Sequence, residues 1–369
     1  MSHAPASLAP TPSPTRSRTA ANSTVRPSKG IRRTLYVDTA GAVVRKRSQH
    51  FIVDVHTAEG TEQIAQVPIP EIDALALVGR VHCTMPALRL SLQRGIRVVL
   101  LSRYGKVKGY LTTPQAGHVS LRLAQYNVQQ NDAQRLHLAR AFVGAKLHNM
   151  AHRLKRRHRK APSAALDAAV RSIHSFQRRL GAATTDDELR GMEGAATRAY
   201  FSVWPDLLQS DDPAFCFTKR TRRPPKDAVN ALLGFTYSLL QNDVASACSI
   251  AGLDAQLGLL HRPRPYTPAA VLDLMEAFRP AVADSVVLAL INRGTVRANH
   301  FHPKNGGIYL TGLGRKAVYK AYGRRRAQSV TLPGMKQALP YHRAFEAQAR
   351  RLARVLEDPS IRYRAFRLR

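Results

Sequence analysis

The sequence predicts an α+β protein of two domains, a small β-rich N-terminal domain followed by a larger all-α C-terminal domain. Between residues 31 and 115, short apolar runs rich in Val, Ile and aromatic residues alternate with turn signals, as in strands. From Leu121 onward the apolar residues recur with a helical period instead. Apolar residues make up 44% of the 369-residue chain, which is enough for each domain to have its own core.

The first 30 residues predict a disordered basic tail. They are rich in Ala, Pro, Ser and Thr, and all of their charged residues are basic. Such a composition cannot bury enough apolar surface to fold alone.

The predicted β-rich domain covers residues 31–115. Its expected strands are 34–37, 42–45, 51–55, 63–67, 74–78, 96–101 and 106–112, with a short helix over 85–93. Pro114 and Gly117 mark the boundary with the next domain.

The predicted helical domain covers residues 116–369. Residues 134–154 place apolar side chains on one broad face of a long helix. Helical patterns continue to Leu356, and they are broken by proline-bearing loops at 205–213, 223–225 and 263–268.

The charge balance predicts a polyanionic partner. The chain has 57 Lys and Arg against 24 Asp and Glu, a formal net charge of +33. Positive charge on this scale favours phosphate-rich partners, with double-stranded DNA first. No run of 18 apolar residues and no signal-peptide core follows Met1, so we expect a cytoplasmic prokaryotic protein that does not enter a membrane.

Basic residues concentrate in separate clusters, which predicts several phosphate contacts. A single run of charge is usually a solvated surface, but several runs with few compensating acids favour nucleic acid. The residues predicted to bind DNA are Arg153, Lys155, Arg156, Arg157, Lys219, Arg220, Arg222, Arg223, Arg324, Arg325 and Arg326.

Four residues are candidates for metal chemistry. Asp273 and Glu276 have the i, i+3 spacing that puts two carboxylates on one helical face, on a helix that Thr267 is expected to cap. Each signal has an ordinary alternative, because the carboxylates fit a solvated face, His261 fits a structural histidine, and Glu193 could lie anywhere on a helix. Mixed carboxylate and imidazole ligands suit Mn²⁺ and tolerate Mg²⁺.

Taken together and in order, these residues resemble the CRISPR-associated protein one family, the integrase and endonuclease of spacer acquisition. The resemblance runs from Leu35 to Tyr363. Its blocks are SLRLAQY (120–126), AKLHN (145–149), MEGAA (192–196), RRPPKDAVNALL (222–233), GLD (252–254) and LDLMEAFRP (272–280). The chain departs from the family at Glu276, where many relatives carry Asp, and in its first 30 residues.

The resemblance implies a β-sandwich-like N-terminal domain used for homodimerisation and a helical catalytic domain. It implies that Glu193, His261 and Glu276 bind Mg²⁺ or Mn²⁺, with Asp273 beside them as a further catalytic residue. It also implies a small ferredoxin-like CRISPR-associated partner. The expected reaction is attack by the 3′-hydroxyl of a short DNA on a phosphodiester at a CRISPR repeat.

Three other functions stay open from the sequence. A casposon-type mobile-element integrase of the same lineage would join longer element ends to a target. A non-catalytic architectural DNA-binding protein could have the same fold. A general nuclease would use water in place of the attacking hydroxyl.

Overall fold

The computed structural model describes residues 33–105, 107–111 and 118–369. The predicted basic tail, and the boundary at Pro114 and Gly117, lie outside the described residues. Strands dominate before residue 111 and helices after residue 119, so the fold is mixed. Because residues 31–369 cluster as one compact unit, the domain division near residue 115 stays a prediction.

Two four-stranded sheets form the N-terminal part. The strands are β1 Arg33–Val37, β2 Val43–Arg47, β3 His50–Thr57, β4 Gly60–Pro68, β5 Ile72–Val78, β6 His82–Cys83, β7 Arg97–Leu101 and β8 Val107–Leu111, with helix α1 Met85–Gln93 between β6 and β7. One sheet has the order β1-β5-β7-β8 and the other β4-β3-β2-β6. Strands β1, β5 and β7 are parallel to one another, whereas β3 pairs antiparallel with both β2 and β4.

The two sheets share an apolar core. Leu75 and Val98 of the first sheet and Phe51 and Val53 of the second belong to one buried cluster. Burying both inner faces in this way is what stabilises small sheets in water.

Helices form most of the remaining chain. They are α2 Val119–Gln130, α3 Asp132–His158, α4 Ala164–Arg179, α5 Asp186–Ser202, α6 Ala228–Ala251, α7 Ala269–Glu276, α8 Asp284–Asn292, α9 Gly312–Ala327 and α10 Tyr341–Glu357. The long helices α3 and α6 begin at side-chain caps, in which Asn131 accepts from the Gln134 N–H and Asp227 from the Asn230 N–H. No helix in the described part of the chain is long and apolar enough to cross a membrane.

The expectation that the C-terminal part is all-α is wrong. Strands β9 Phe301–Lys304 and β10 Gly307–Leu310 form an antiparallel hairpin, and the short strands β11 Ser329–Val330 and β12 Leu339–Pro340 also pair. The hairpin turn is Asn305-Gly306, with φ values of 48° and 69°. Asn-Gly readily adopts the left-handed conformation at both positions. A two-residue turn of this kind matches the twist of the paired strands.

Candidate metal and nucleic-acid site

The candidate site is assembled from helices α3, α5 and α7 and from the loop between α6 and α7. Glu193 lies in α5, Asp273 and Glu276 lie in α7, and His261 lies in the loop. The expected cap of α7 is corrected: Pro268 is the N-cap residue, and the Thr267 hydroxyl donates to the Pro265 carbonyl instead. Asp273 and Glu276 do share one helix, as their spacing predicts.

A buried lysine joins the two glutamates. Lys146 of α3 forms an ion pair with Glu193 Oε1, and its Nζ lies 2.7 Å from Glu276 Oε2. The side chains of Lys146 and Glu276 are only 8% and 5% exposed, so this contact is shielded from water. Further donors complete the arrangement, because Arg279 Nε donates to Glu276 Oε1 at 2.9 Å and Thr197 Oγ1 to Glu193 Oε1 at 2.9 Å.

Charge, not burial, decides the protonation of these groups. Burial raises the pKa of Glu276, but the nearby cations Arg279, Lys146 and His261 outweigh it and lower that pKa to about 2. Burial likewise lowers the pKa of Lys146, but Glu276 and Glu193 raise it further, so the net direction is upward. Both carboxylate and ammonium are therefore in their charged forms near neutral pH.

His261 is held by Asp273. The Nδ1 atom of His261 lies 2.6 Å from Asp273 Oδ1, and the His261 backbone N–H donates to the same oxygen at 2.9 Å. Asp273 Oδ2 accepts from the N–H groups of Leu259 and Leu260, at 2.5 and 3.0 Å. With Nδ1 directed at Asp273, Nε2 of His261 is the nitrogen left to meet a ligand.

Asp273 therefore positions His261. Its side chain is 1% exposed, and both of its oxygens accept hydrogen bonds from the loop. Burial lowers the pKa of His261, but the hydrogen bond and charge of Asp273 and the charge of Glu276 raise it overall. Of the two glutamates, only Glu276 contributes to this upward shift in the pKa of His261.

The residues fit a divalent ion by their donor chemistry. As they stand, no three His, Cys, Asp or Glu side chains in the described ranges are grouped closely enough to hold a metal ion. However, Glu193 and Glu276 already converge on one positive charge, that of Lys146. Glu276 Oε2 is also buried. Within the described residues it forms an ion pair with the Lys146 ammonium but has no hydrogen-bond partner. Two such carboxylates and a histidine nitrogen are donors that suit Mn²⁺ and Mg²⁺.

Sequence reasoning missed the role of Lys146 and Arg279. Lys146 follows the apolar residues Phe142 and Val143 by four and three positions, so it lies on the buried face of α3. A lone charge on an apolar helical face is a detectable signal for a buried partner. Arg279 follows Glu276 by three residues, which is ion-pair spacing on a helix.

The loop that carries His261 depends on Gly258. A Cβ added there would lie 2.5 Å from the His261 carbonyl oxygen and 2.6 Å from the Ala269 Cβ. We expect Gly258→Ala to displace the loop, and a displacement of about 1 Å at a catalytic group can reduce the rate about 100-fold. The measurement is metal-dependent DNA strand joining.

The matched control for this change is Gly191→Ala in helix α5. A Cβ there meets nothing within 4 Å, and alanine favours a helix. Equal rates for the Gly258→Ala and Gly191→Ala variants would show that the loop tolerates displacement.

Many of the predicted DNA-binding residues are at the surface. Lys155, Arg156, Lys219, Arg222, Arg223 and Arg324 are exposed. Arg157 is half-buried, and its Nε donates to the Asp206 carbonyl at 3.1 Å. The exposed residues are free to follow a phosphate backbone.

The surroundings of Arg326 do not favour its predicted phosphate contact. Its guanidinium is buried, 2.6 Å from Asp73 of β5 and 2.9 Å from Asp243 of α6. Tyr322 also donates to Asp243, at 2.8 Å. Arg326 therefore joins the β1-β5-β7-β8 sheet to the helices, and its charge is already balanced by two carboxylates.

Three further arginines also make hydrogen bonds within the protein, and their predicted phosphate contacts stay predictions. Arg153 and Arg325 donate from Nε to the Pro280 and Ala281 carbonyls, at 2.9 and 3.0 Å. Arg220 donates to Asn230 Oδ1 at 2.6 Å. Pro280 and Ala281 belong to the π-helical turn Arg279–Ala283, whose wide backbone leaves carbonyls for side chains to satisfy. These two arginines therefore order the segment that follows Glu276.

Comparison with known proteins gives a consistent set of similarities. The family described as CRISPR associated protein Cas1 matches residues 35–324. A CRISPR-associated endonuclease Cas1 of Chlorobaculum tepidum is 34% identical over 338 residues, covering 90% of this chain and 97% of its own length.

Solved structures share the fold. A CAS1 protein from Thermotoga maritima is 25% identical with a TM-score of 0.72, over 88% of this chain and 97% of its own. A casposase bound to integration product is 21% identical with a TM-score of 0.77, over 90% of this chain and 92% of its own, which is a likeness of fold alone.

Proposed function

The chain belongs to the Cas1 family of CRISPR-associated proteins, and from that premise we propose that it is a metal-dependent DNA endonuclease and integrase. In this proposal it inserts short spacer DNA into a CRISPR array. The observation that carries it is the convergence of half-buried Glu193 and buried Glu276 on one cation, beside a histidine held by Asp273. Two carboxylates that converge on one cation in a chain of net charge +33 are candidates for a functional site.

The proposed reaction is a transesterification. The 3′-hydroxyl of the incoming DNA attacks a phosphorus of the target strand, a new P–O bond forms, and the displaced 3′-oxygen leaves with a proton. Because one phosphodiester replaces another, no ATP is required. With water as the attacking group, the same site would hydrolyse DNA.

Each residue has a defined task in this proposal. Glu193, Glu276 and Nε2 of His261 would hold Mn²⁺ or Mg²⁺, which when bound polarises a phosphoryl oxygen and lowers the cost of ionising the attacking hydroxyl. Asp273 keeps His261 oriented through its Nδ1 and backbone contacts. Arg279 holds Glu276 in place through its Nε.

The proposed partners follow from charge and family. Exposed residues such as Lys155, Arg156, Arg222 and Arg223 support binding of double-stranded DNA by its phosphates. The homodimer formed through a domain of residues 31–115, and the small ferredoxin-like partner, are proposed from the family alone. The helical region of residues 116–369 would then be the catalytic and DNA-binding domain.

The direct test is joining of a labelled oligonucleotide to a supercoiled plasmid. We expect product with Mn²⁺ or Mg²⁺ and none with EDTA. DNA binding without joining in any divalent metal would leave a non-catalytic architectural protein. Genes beside the locus separate the remaining possibilities, since CRISPR repeats indicate spacer acquisition, whereas a polymerase and terminal inverted repeats indicate a casposon.

DNA affinity should fall steeply with salt. If about six phosphates are contacted, raising NaCl from about 50 to 200 mM should weaken binding about 1000-fold, because condensed counterions are no longer released into dilute salt. Fluorescence anisotropy of a labelled duplex in EDTA measures this without turnover. A flat salt response would contradict phosphate binding by the exposed basic clusters.

A further inference from the structure

A basic cleft of about 590 Å³ lies on the other side of helix α3 from the candidate metal site. Its walls are α3, the end of α4 with the turn that follows it, Pro333, and residues of the C-terminal segment 361–369. The charged and polar side chains of its lining are His137, Arg140, Gln177, Arg362, Arg364 and Arg367. Among the described residues, no Asp or Glu lines the cleft.

The geometry of α3 separates this cleft from the catalytic centre. His137, Arg140 and Gly144 line the cleft and recur at the three- and four-residue spacing of one helical face. Lys146, which contacts Glu193 and Glu276, follows Gly144 by two residues. Two residues turn a helix by about 200°, so the two sites face opposite directions.

The C-terminal segment holds its arginines on a fixed backbone. Asn149 of α3 donates to the Phe366 carbonyl at 3.2 Å and accepts from the Leu368 N–H at 2.7 Å. Tyr363 and Phe366 are buried, and the Tyr363 hydroxyl donates to Gln348 Oε1 at 3.2 Å. The segment is therefore anchored by its inward side chains.

Apart from Ile361, the exposed side chains of this segment are basic. Arg362, Arg364 and Arg367 are exposed and line the cleft. Among the described residues, no salt bridge neutralises these three or Arg140, whose Nη2 donates instead to the Ala183 carbonyl at 2.6 Å. Four guanidinium groups close together without a carboxylate repel one another, and an anion would relieve that repulsion.

We propose that this cleft binds the backbone phosphates of a single-stranded DNA segment, at a place separate from the catalytic centre. Arginine forks match phosphate oxygens in geometry as well as charge. The cleft has the volume of a small-ligand site, within about 300–1,000 Å³, which suits a few nucleotides of one strand better than a duplex. Tyr363 is the one Phe, Tyr or Trp residue in the described lining, and it is buried, so we expect binding to be independent of base sequence.

This inference rests on the proposed function only in its choice of DNA as the anion. Helix α3 lies between the cleft and the metal site, so a strand held here is outside the metal site. The cleft would therefore hold a part of the DNA other than the reacting 3′ end.

The test compares two variants of the full-length chain with equal net charge. The cleft variant replaces Arg362, Arg364 and Arg367 by Gln. The control variant replaces Arg80, Arg89 and Arg94 by Gln, which are exposed and belong to the N-terminal part. Binding of a mixed-sequence oligonucleotide of about 12 nucleotides is followed by anisotropy against NaCl. EDTA is present throughout, so the result does not depend on metal or catalysis.

We expect the cleft variant to bind the single strand about 10-fold more weakly. Its log-log salt slope should fall by about two, since each lost phosphate contact removes about 0.7 from a single-strand slope. The control variant should keep the wild-type slope. A wild-type slope in the cleft variant, or an equal loss in the control, would overturn the proposal.

Two further arms identify the ligand. A duplex of the same length should lose less affinity in the cleft variant than the single strand does, and equal losses would overturn the single-strand assignment. Inorganic phosphate should compete only weakly with the single strand, because one phosphate occupies only part of the cleft. Complete competition at low millimolar phosphate would indicate that the ligand of the cleft is a free anion and would overturn its assignment to a DNA strand. Strand joining is assayed separately with Mn²⁺ or Mg²⁺. If the wild type and both variants all fail to join strands while these binding results hold, the proposed function is wrong and the cleft assignment stands.

Discussion

The Glu276→Ala variant is expected to lose strand joining while it still binds DNA. Glu276 is buried, carries a pKa of about 2, and faces both Lys146 and Arg279. Its removal deletes a proposed metal ligand. Several kcal/mol of lost transition-state stabilisation corresponds to a rate reduction of about 1000-fold or more. Joining of a labelled oligonucleotide to plasmid, measured beside duplex binding in EDTA, separates the two properties.

Glu193→Ala and His261→Ala should have the same effect, because the three residues are proposed to act as one ligand set. A matched control is Glu188→Ala, which lies on the same helix as Glu193 but is exposed and bonded to Thr184. Glu188→Ala should join strands at the wild-type rate. If one of the three ligand variants also joins at that rate, its assignment as a ligand is wrong.

Asp273→Asn should be less damaging than these changes. The substitution preserves one acceptor oxygen for the loop but loses the charge that orients Nδ1 of His261. Loss of a partner behind a metal ligand typically costs about 10- to 100-fold in activity or metal affinity. A loss as large as that of Glu276→Ala would indicate that Asp273 is itself a ligand.

The elements that local patterns predict best are those with one regular period. The helix expected over 85–93 is Met85–Gln93, and the strand expected over 96–101 is Arg97–Leu101. The hairpin of residues 301–310 was missed because its strands are short and lie between helical segments. Its Asn305-Gly306 turn was the available signal, and only the flanking pairing makes it informative.

Roles within a cluster could not be read from composition. Arg324, Arg325 and Arg326 are consecutive in sequence, but successive helical residues point about 100° apart. Arg324 is exposed, Arg325 binds the Ala281 carbonyl, and Arg326 is buried between two aspartates. A run of charge predicts that some of its members meet the partner and does not say which.

The metal-site candidates came from individually weak signals and a family resemblance. The sequence could not show which side chains of different helices and loops contact one another. Lys146 lies 47 residues from its partner Glu193, and Asp273 accepts hydrogen bonds from loop residues 12 to 14 positions before it. Contacts of this kind depend on how helices pack. The i, i+3 spacing of Asp273 and Glu276 placed them on one helix, but only packing separates the positioning residue from the proposed ligand.

Replacing Lys146 by methionine should destabilise the metal-free protein and strengthen its stabilisation by metal. Glu193 and Glu276 would lose their shared cation, with Arg279 left as the partner of Glu276. Breaking a buried ion pair in this way costs about 3–5 kcal/mol. A divalent ion bound by the two carboxylates would restore the missing charge, so Mn²⁺ should raise the melting temperature of Lys146→Met more than that of the wild type.

The pH dependence of this stability has a definite sign. The pKa of Glu276 is lowered from 4.5 to about 2, so its contribution is fully present above pH 4.5 and is lost as the pH falls towards 2. In Lys146→Met that pKa should rise, because one of its cations is gone. Acid unfolding of the variant should therefore begin at a higher pH than in the wild type.

Lys155→Met is the matched control, since Lys155 lies on the same helix but is exposed. It should change the free energy of unfolding by no more than a typical surface substitution does, about 0.5 kcal/mol. Its melting temperature should therefore stay close to that of the wild type, both with EDTA and with Mn²⁺. Thermal melts with EDTA and with Mn²⁺ provide the measurement without any activity assay. If Mn²⁺ shifts the melting temperatures of Lys146→Met and Lys155→Met equally, then Mn²⁺ does not replace the charge of Lys146 between Glu193 and Glu276.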